Sequence, residues 1–377
     1  MDFPYQEYQQ RLSKLQEGME AAGLPALLIH QPQNIRYISG FFMMGYFFYH
    51  ALLVPAKGDP VLIVRDMEAP AVKVSSWVKT MAVWSDNKDP MRVGSKAVRE
   101  ALSLAGIPNG RVGTDYQSWF LTPERLAYLT NALPDFEFVP EPHLIETLRI
   151  IKSKLEIEQH RQAARVVEAG VQAGIDAVHT GVRENQIAGA FNSAMLCAGG
   201  ELAPEQVMTS GERTSEIHGG ATARVIQPDD NVYFELTGNV NWYVSRLMRT
   251  VVNGKATDEK KRVADTIIRI QNEGIAMMRP GVRAGDVDDY MRKALLESGI
   301  RTEYTNRTSY GIGLTFFPSV GEYNRDMVPD VDWVFEPGMV QHTLMMGQGM
   351  GFSETVLITE GGPELITQFE RNLIETS

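Results

Sequence analysis

The stretch from Val232 to Gly254, VYFELTGNVNWYVSRLMRTVVNG, constrains this chain more than any other. Aromatic and β-branched residues dominate both sides of Gly238 and Asn239, the pattern of two strands joined in a β-hairpin across that pair. One strand sets Glu235 between Phe234 and Leu236, and the other carries Arg246 eleven positions later. A carboxylate in so apolar a strand, if it faces a pocket, is partly desolvated, which raises its pKa and makes it a usable base or nucleophile. The same two residues could instead close a structural ion pair across the hairpin. Both arrangements could hold together, since an ion pair can orient a catalytic carboxylate.

With 377 residues the chain exceeds one ordinary core and suits two domains. Its 44% apolar and 22% charged residues are those of a soluble globular protein. The net charge of −11 argues against a nucleic-acid or anionic-membrane surface. One cysteine, Cys197, excludes a disulfide framework and a cysteine-based zinc site, and fits a reducing cytoplasm. The first residues lack the basic-then-apolar pattern of a signal peptide, and no apolar run is long enough to span a membrane. A cytoplasmic protein is expected.

Along the first 148 residues, helical spacing over 5–22, a strand at 26–29, a strand–turn–strand around 57–60, a helix near 91–105, a strand-like RVGTD and a helix over 122–132 alternate. They predict a compact α/β N-terminal domain. A long amphipathic segment then runs from 144 to 179, and the boundary falls within it near 148–152, leaving 149–377 as a second domain. There, helices over 184–198, 258–278 and 285–298 alternate with the hairpin and with strand pairs around 305–317 and 339–360. Thr180-Gly181-Val182 and Pro280-Gly281-Val282 each precede a polar turn and a helix, a weak internal duplication.

Several phrases carry a resemblance in the same order. They are NIRYISGF at 34–41, LRIIKSKLEIEQHRQAARV at the domain junction, the hairpin ending in Arg249-Thr250, SYGIGL at 309–314, EPGMV at 336–340 and SETVLITEGG at 353–362. Together they resemble the creatinase/aminopeptidase P (M24-type) family. The resemblance implies a small α/β N-terminal domain followed by a pita-bread catalytic domain. In the family's metallopeptidases five positions bind divalent metal. The resemblance puts these at Glu235, Arg246, Tyr310, Leu344 and Glu354, a set unsuited to a cation. No metal and no cofactor are therefore expected.

Some members of this fold, creatinase and ectoine hydrolase, are metal-free, and GERTSEIH at 211–218 places His218 at creatinase's catalytic histidine. FEL with the following TG, HTLMM at 342–346 and SET at 353–355 are more similar to ectoine hydrolase. The reaction this branch implies is metal-independent hydrolysis of a non-peptide C–N bond in a small amidine or guanidine zwitterion. Glu354 would hold the amidinium, Glu235 would attack or activate water, and His218 would protonate the leaving nitrogen, with the two glutamates interchangeable. Tyr46, Phe47, Tyr49 and His50 of the aromatic run at 40–50, together with Tyr310, His342 and Arg246, are the expected substrate contacts. The alternatives are a creatine amidinohydrolase, an Xaa-Pro metallopeptidase, or an inactive pita-bread binding module. The family's usual association implies a homodimer in which one N-terminal domain covers the neighbouring active site.

Overall fold

The computed structural model describes residues 2–88, 94–203, 206–316 and 321–376. The chain forms two compact units, Met1–Leu148 and Arg149–Ser377.

In the first unit the order is α1 (Tyr5–Ala21), β1 (Ala26–Ile29), α2 (Pro32–Ser39), β2 (Ala51–Pro55), β3 (Val61–Arg65) and α3 (Ala69–Ser75). It continues with β4 (Met81–Trp84), α4 (Ser95–Leu104), β5 (Gly110–Thr114), α5 (Pro123–Ala132) and β6 (Phe136–Pro140). The strands form one sheet in the order β4-β3-β2-β1-β5-β6, with β1, β2 and β3 antiparallel and the outer pairings parallel. Strands β1, β2 and β3 are buried along their whole length, which is why they read as continuous apolar runs rather than alternating ones. The phrase NIRYISGF lies mostly in α2. Pro32 opens that helix and Gly40, with φ 74°, ends it.

Helix α6 (Leu144–Ile150) straddles the division between the units. The amphipathic segment expected over 144–179 is therefore two helices, because Ser153 restarts it. Its hydroxyl accepts the Glu156 N–H while Glu156 reaches back to the Ser153 N–H, a complete capping box that opens α7 (Lys154–Asp176).

The second unit continues with α8 (Glu184–Cys197), β7 (Val207–Ser210), β8 (Asn231–Val240), β9 (Tyr243–Val252), α9 (Asp258–Met277) and α10 (Ala284–Glu297). After these come β10 (Ser309–Gly311), β11 (Asp326–Met327), β12 (Val340–Gly347), β13 (Met350–Thr359), β14 (Gly362–Leu365) and β15 (Ile374–Glu375). Two sheets result, β15-β9-β8-β7 and β11-β10-β12-β13-β14. The internal duplication has a structural counterpart. Gly181 and Gly281 both take positive φ, 93° and 82°. Each donates its N–H to a later segment, to Ile226 O and Phe335 O, and that segment donates back to Val182 O and Val282 O. The same device thus launches α8 and α10.

The hairpin turn differs from expectation. Val240 pairs with Tyr243, so the chain reverses at Asn241 and Trp242, both at positive φ as a two-residue type I′ turn requires. Gly238 lies inside β8. A Cβ there would sit 2.1 Å from the Ala163 carbonyl oxygen, so glycine is needed because α7 crosses the strand at close range. Gly-Asn looked like turn chemistry, but it is a packing requirement.

Candidate functional site

The tight turn explains the eleven-residue spacing in the hairpin. Glu235 is opposite Met248 and Arg246 is opposite Thr237, so the two are diagonal neighbours on one face. Both are buried. The Arg246 guanidinium donates to Glu235 Oε1 at 2.8 Å, and the Tyr233 hydroxyl donates to Glu235 Oε2 at 3.3 Å. Burial, with Glu235 second, pushes the Tyr233 hydroxyl well above its ordinary value, so it stays a donor. The ion pair is present, and both carboxylate oxygens are engaged.

The second sheet is joined to this hairpin through hydroxyls. Thr355 Oγ1 accepts the Arg246 N–H at 2.9 Å and donates to the Arg246 carbonyl at 3.0 Å. Ser353 Oγ accepts the Met248 N–H at 2.7 Å, and Thr250 Oγ1 accepts the Gly351 N–H at 2.9 Å. Ser353 Oγ also lies 2.7 Å from His342 Nε2. His342 packs edge-on against Tyr310 with centroids 5.0 Å apart, and the Arg246 guanidinium is 5.9 Å from the Tyr310 ring. Burial first, then the charges of Arg246 and Arg307, hold His342 well below its usual pKa. It is therefore a neutral imidazole. Glu235, Arg246, Tyr310 and His342 are thus brought together, with Tyr233 and Ser353, which sequence reasoning missed.

Glu354 is not with them. Leu344 is paired with Ser353 and Thr343 with Glu354, and successive residues face opposite sides of a strand. Ser353 therefore shares a face with Leu344 and His342. Glu354 turns the other way, where it accepts from Arg249 at 2.8 Å and from the Thr367 hydroxyl, with Arg371 at 3.6 Å. The expected cooperation of Glu354 and Glu235 on one substrate is corrected by this register.

His218 lies exposed on a turn, next to Ile217. Ile217 lines an opening of about 270 Å³ together with Thr214, Tyr233, Met346 and Met350, and Tyr233 links that opening to Glu235. The GERT segment that leads to His218 is anchored by ion pairs. Arg213 binds the buried Glu184, which also accepts from Thr222 and Ser210, and Glu212 binds Arg224.

In the N-terminal unit the aromatic run divides. Tyr49 is buried, accepts from Trp84 Nε1 through its carbonyl at 3.1 Å and sets its hydroxyl 3.3 Å from His30 Nε2. His50 is also buried, donates from Nδ1 to Phe48 O at 2.9 Å, and is pushed down to about 4 chiefly by burial. Both are core residues of this unit, a correction to their expected role as substrate contacts. Phe47 is exposed and Tyr46 half-buried against Phe120.

A divalent ion does not fit the family's metal positions in this chain. Arg246 places a guanidinium among them, Leu344 has no donor, and Tyr310 offers a phenol. Among the described residues the one cluster of three metal-ligating side chains is Glu141, His143 and Glu146, in the N-terminal unit. Both Glu141 oxygens there already accept hydrogen bonds, from Gln117 and from the Leu144 N–H.

Beneath the hairpin, His160 of α7 is fully buried and its Nδ1 donates to the Val244 carbonyl at 2.7 Å. Burial, with the Lys152 charge second, pushes it down to about 3. An unfolded imidazole titrates near 6.5, so the unfolded chain binds more protons between those values. The stabilisation from His160 is complete above pH ~6.5 and is lost as pH falls toward about 3. His160→Gln is expected to flatten the pH dependence of stability between about pH 6 and pH 4 by roughly 1.4 kcal/mol per pH unit. Urea midpoints across that range measure it, and an unchanged slope would refute the assignment.

Residues 158–360 match the model of metallopeptidase family M24, and residues 11–151 match the creatinase/prolidase N-terminal domain. An Xaa-Pro dipeptidase of Pyrococcus furiosus is 25% identical over 375 residues, covering 97% of this chain and 99% of that protein. An uncharacterized hydrolase/peptidase of Sinorhizobium fredii is 27% identical over 389 residues, 99% and 98% of the two chains. The solved Xaa-Pro dipeptidase of Bacillus anthracis superposes with a TM-score of 0.85 at 22% identity, covering 98% of this chain and 100% of that one. These findings overturn the expected metal-independent hydrolase of a non-peptide C–N bond. Relatives matched from end to end carry the names of peptidases, among them Xaa-Pro dipeptidases. The chain belongs to the metallopeptidase family M24, with a creatinase/prolidase-type N-terminal domain ahead of its pita-bread domain.

Proposed function

We propose that this chain recognises dipeptides or other short peptides in the site bounded by the β8–β9 and β12–β13 hairpins, and that it does not hydrolyse them by the family's metal chemistry. The observation that carries this reading is the Glu235–Arg246 pair. It fills two neighbouring metal positions with a carboxylate and a cation that neutralise each other at 2.8 Å. Similarity along the whole chain to proteins named Xaa-Pro dipeptidases supplies the ligand class. Tyr233, lining the opening and bonded to Glu235, and His218 beside it are the proposed ligand contacts. A cytoplasmic homodimer of 42.1-kDa chains completes the proposal.

The test is calorimetric titration of the purified protein with an Xaa-Pro dipeptide and a dipeptide lacking proline. Turnover is followed in parallel with chelator or with added Mn²⁺, and light scattering gives the mass. Binding indifferent to chelator, without cleavage, is the expected result, and a mass of one chain would remove the dimer. Cleavage that chelator abolishes and Mn²⁺ restores would establish the second reading, a working Xaa-Pro metallopeptidase, which the relatives' names favour.

A further inference from the structure

A second cavity, of about 620 Å³, opens beside β10 and β11 and is lined by Arg307, Glu322, Arg325, Asp326, Asp332 and Trp333, among others. Most of its charges are already matched. Glu322 pairs with Arg149 at 3.3 Å and Lys152 at 3.5 Å. Arg307 pairs with Asp326 at 2.8 Å while its guanidinium covers the Tyr310 ring at 3.8 Å.

Arg325 is different. Its Nη1 donates to the Asn324 carbonyl at 2.8 Å, its guanidinium lies 5.5 Å from the Trp333 ring, and its Nε is buried without a hydrogen-bond partner. Among the described residues no carboxylate comes within ion-pair distance of it. Glu336 acts on it only electrostatically, and burial holds its pKa below the ordinary value. A half-buried guanidinium that has lost water without gaining a carboxylate is costly, and an incoming carboxylate would remove that cost. The backbone that carries it is also held in place. The Arg325 carbonyl accepts the Gly311 N–H at 2.9 Å, and the Glu322 N–H donates to the Gly311 carbonyl at 2.8 Å, tying this loop to β10. Once the internal pairs are counted, the cavity presents one cation, Arg325, and one anion, the exposed Asp332. That balance suits a single carboxylate with a nearby ammonium and disfavours a multiply charged phosphate.

We propose that Arg325 is the carboxylate-binding residue of a subsite for a zwitterionic ligand. Trp333 provides its apolar wall, and the subsite communicates with Tyr310 through Arg307. The identity of the ligand as a peptide C-terminus rests on the peptide reading above, whereas the charge preference does not.

The experiment compares a dipeptide with its C-terminal amide on the wild-type protein and on Arg325→Gln. The half-exposed position lets the variant fold, which a matching circular dichroism melt confirms, and Arg325→Lys serves as the charge-retaining control. The free acid is expected to bind wild type roughly ten- to hundredfold tighter than the amide, as a charge-assisted pair allows, and Arg325→Gln to erase that preference. An acid preference that survives Arg325→Gln overturns the subsite. Should wild type bind no dipeptide, the peptide reading fails by itself. A free amino acid and its methyl ester are then titrated against tryptophan fluorescence, with Trp333→Phe as the signal control. Quenching that needs both the carboxylate and Arg325 upholds the subsite. An equal response in both proteins, no response at all, or stronger binding of inorganic phosphate overturns it.

Discussion

Arg249→Met is expected to destabilise the C-terminal unit by about 3–5 kcal/mol, the range for breaking a buried ion pair by removing one partner. Arg249 has no exposed surface, and every nitrogen of its guanidinium is engaged. Nε donates to Glu370 O at 2.7 Å, Nη1 to Met248 O at 2.8 Å and Ser353 O at 3.0 Å, and Nη2 to Phe369 O at 2.7 Å and Glu354 Oε1 at 2.8 Å. It therefore ties β9, β13 and the chain after β14 to a single point. Methionine fills part of the volume but leaves the Glu354 carboxylate buried, with Thr367 and the more distant Arg371 as its remaining partners, and strands three carbonyls from other segments. For a unit of this size the loss corresponds to a fall in melting temperature on the order of 10 °C. Glu354→Gln should lose a comparable amount, because it leaves the guanidinium unneutralised. Thermal and urea unfolding of both variants is the measurement. A loss of less than about 1 kcal/mol in either would show that the pair is not a structural hub.

How far this was legible in the sequence depends on the kind of signal. Long periodic segments were read closely. The helices expected over 258–278 and 285–298 are found at Asp258–Met277 and Ala284–Glu297, and the stretch from Val232 to Gly254 does hold a two-stranded hairpin. Features that hang on a single residue's reason for being there were not. Gly238 and Asn239 have the composition of a turn, yet Gly238 answers to a helix more than 70 residues earlier in the chain, which no local pattern reveals. In Ser353-Glu354-Thr355 the residue that faces the hairpin site is displaced by one position from the carboxylate. A carboxylate is the obvious candidate in a motif, but side-chain direction alternates along a strand, so the register with Leu344 gives the site to the hydroxyl. The signal was available: Ser353 and Thr355 share one parity, and so do Tyr233 and Glu235. The aromatic run at 40–50 likewise mixes core and surface, because aromatic residues serve both, and only its burial separates Tyr49 from Phe47.

Arg246→Met alone and Glu235→Leu alone should each cost about 3 kcal/mol, since each leaves a buried charge without its counter-ion. The double variant should lose no more than either single change, a coupling of about 3 kcal/mol, leaving chiefly the Tyr233 hydroxyl to be satisfied again. Near-additive losses would mean that the 2.8 Å contact is incidental to stability. The same cycle bears on function, because the resemblance places two of the family's metal positions on this pair. Arg246→Asp gives the hairpin two carboxylates at the family spacing, yet Tyr310, Leu344 and Ser353 still supply nothing that resembles the remaining ligands. A divalent ion binds tightly only when several oxygen or nitrogen donors converge on it. Arg246→Asp is therefore expected to bind Mn²⁺ no better than the parent protein by calorimetry, and to be less stable, with two acids now facing each other. Tight Mn²⁺ binding by that variant would show that one arginine is all that separates this site from a working metal centre. The departure from the family's metal positions would then be a single reversible step rather than a rebuilt site.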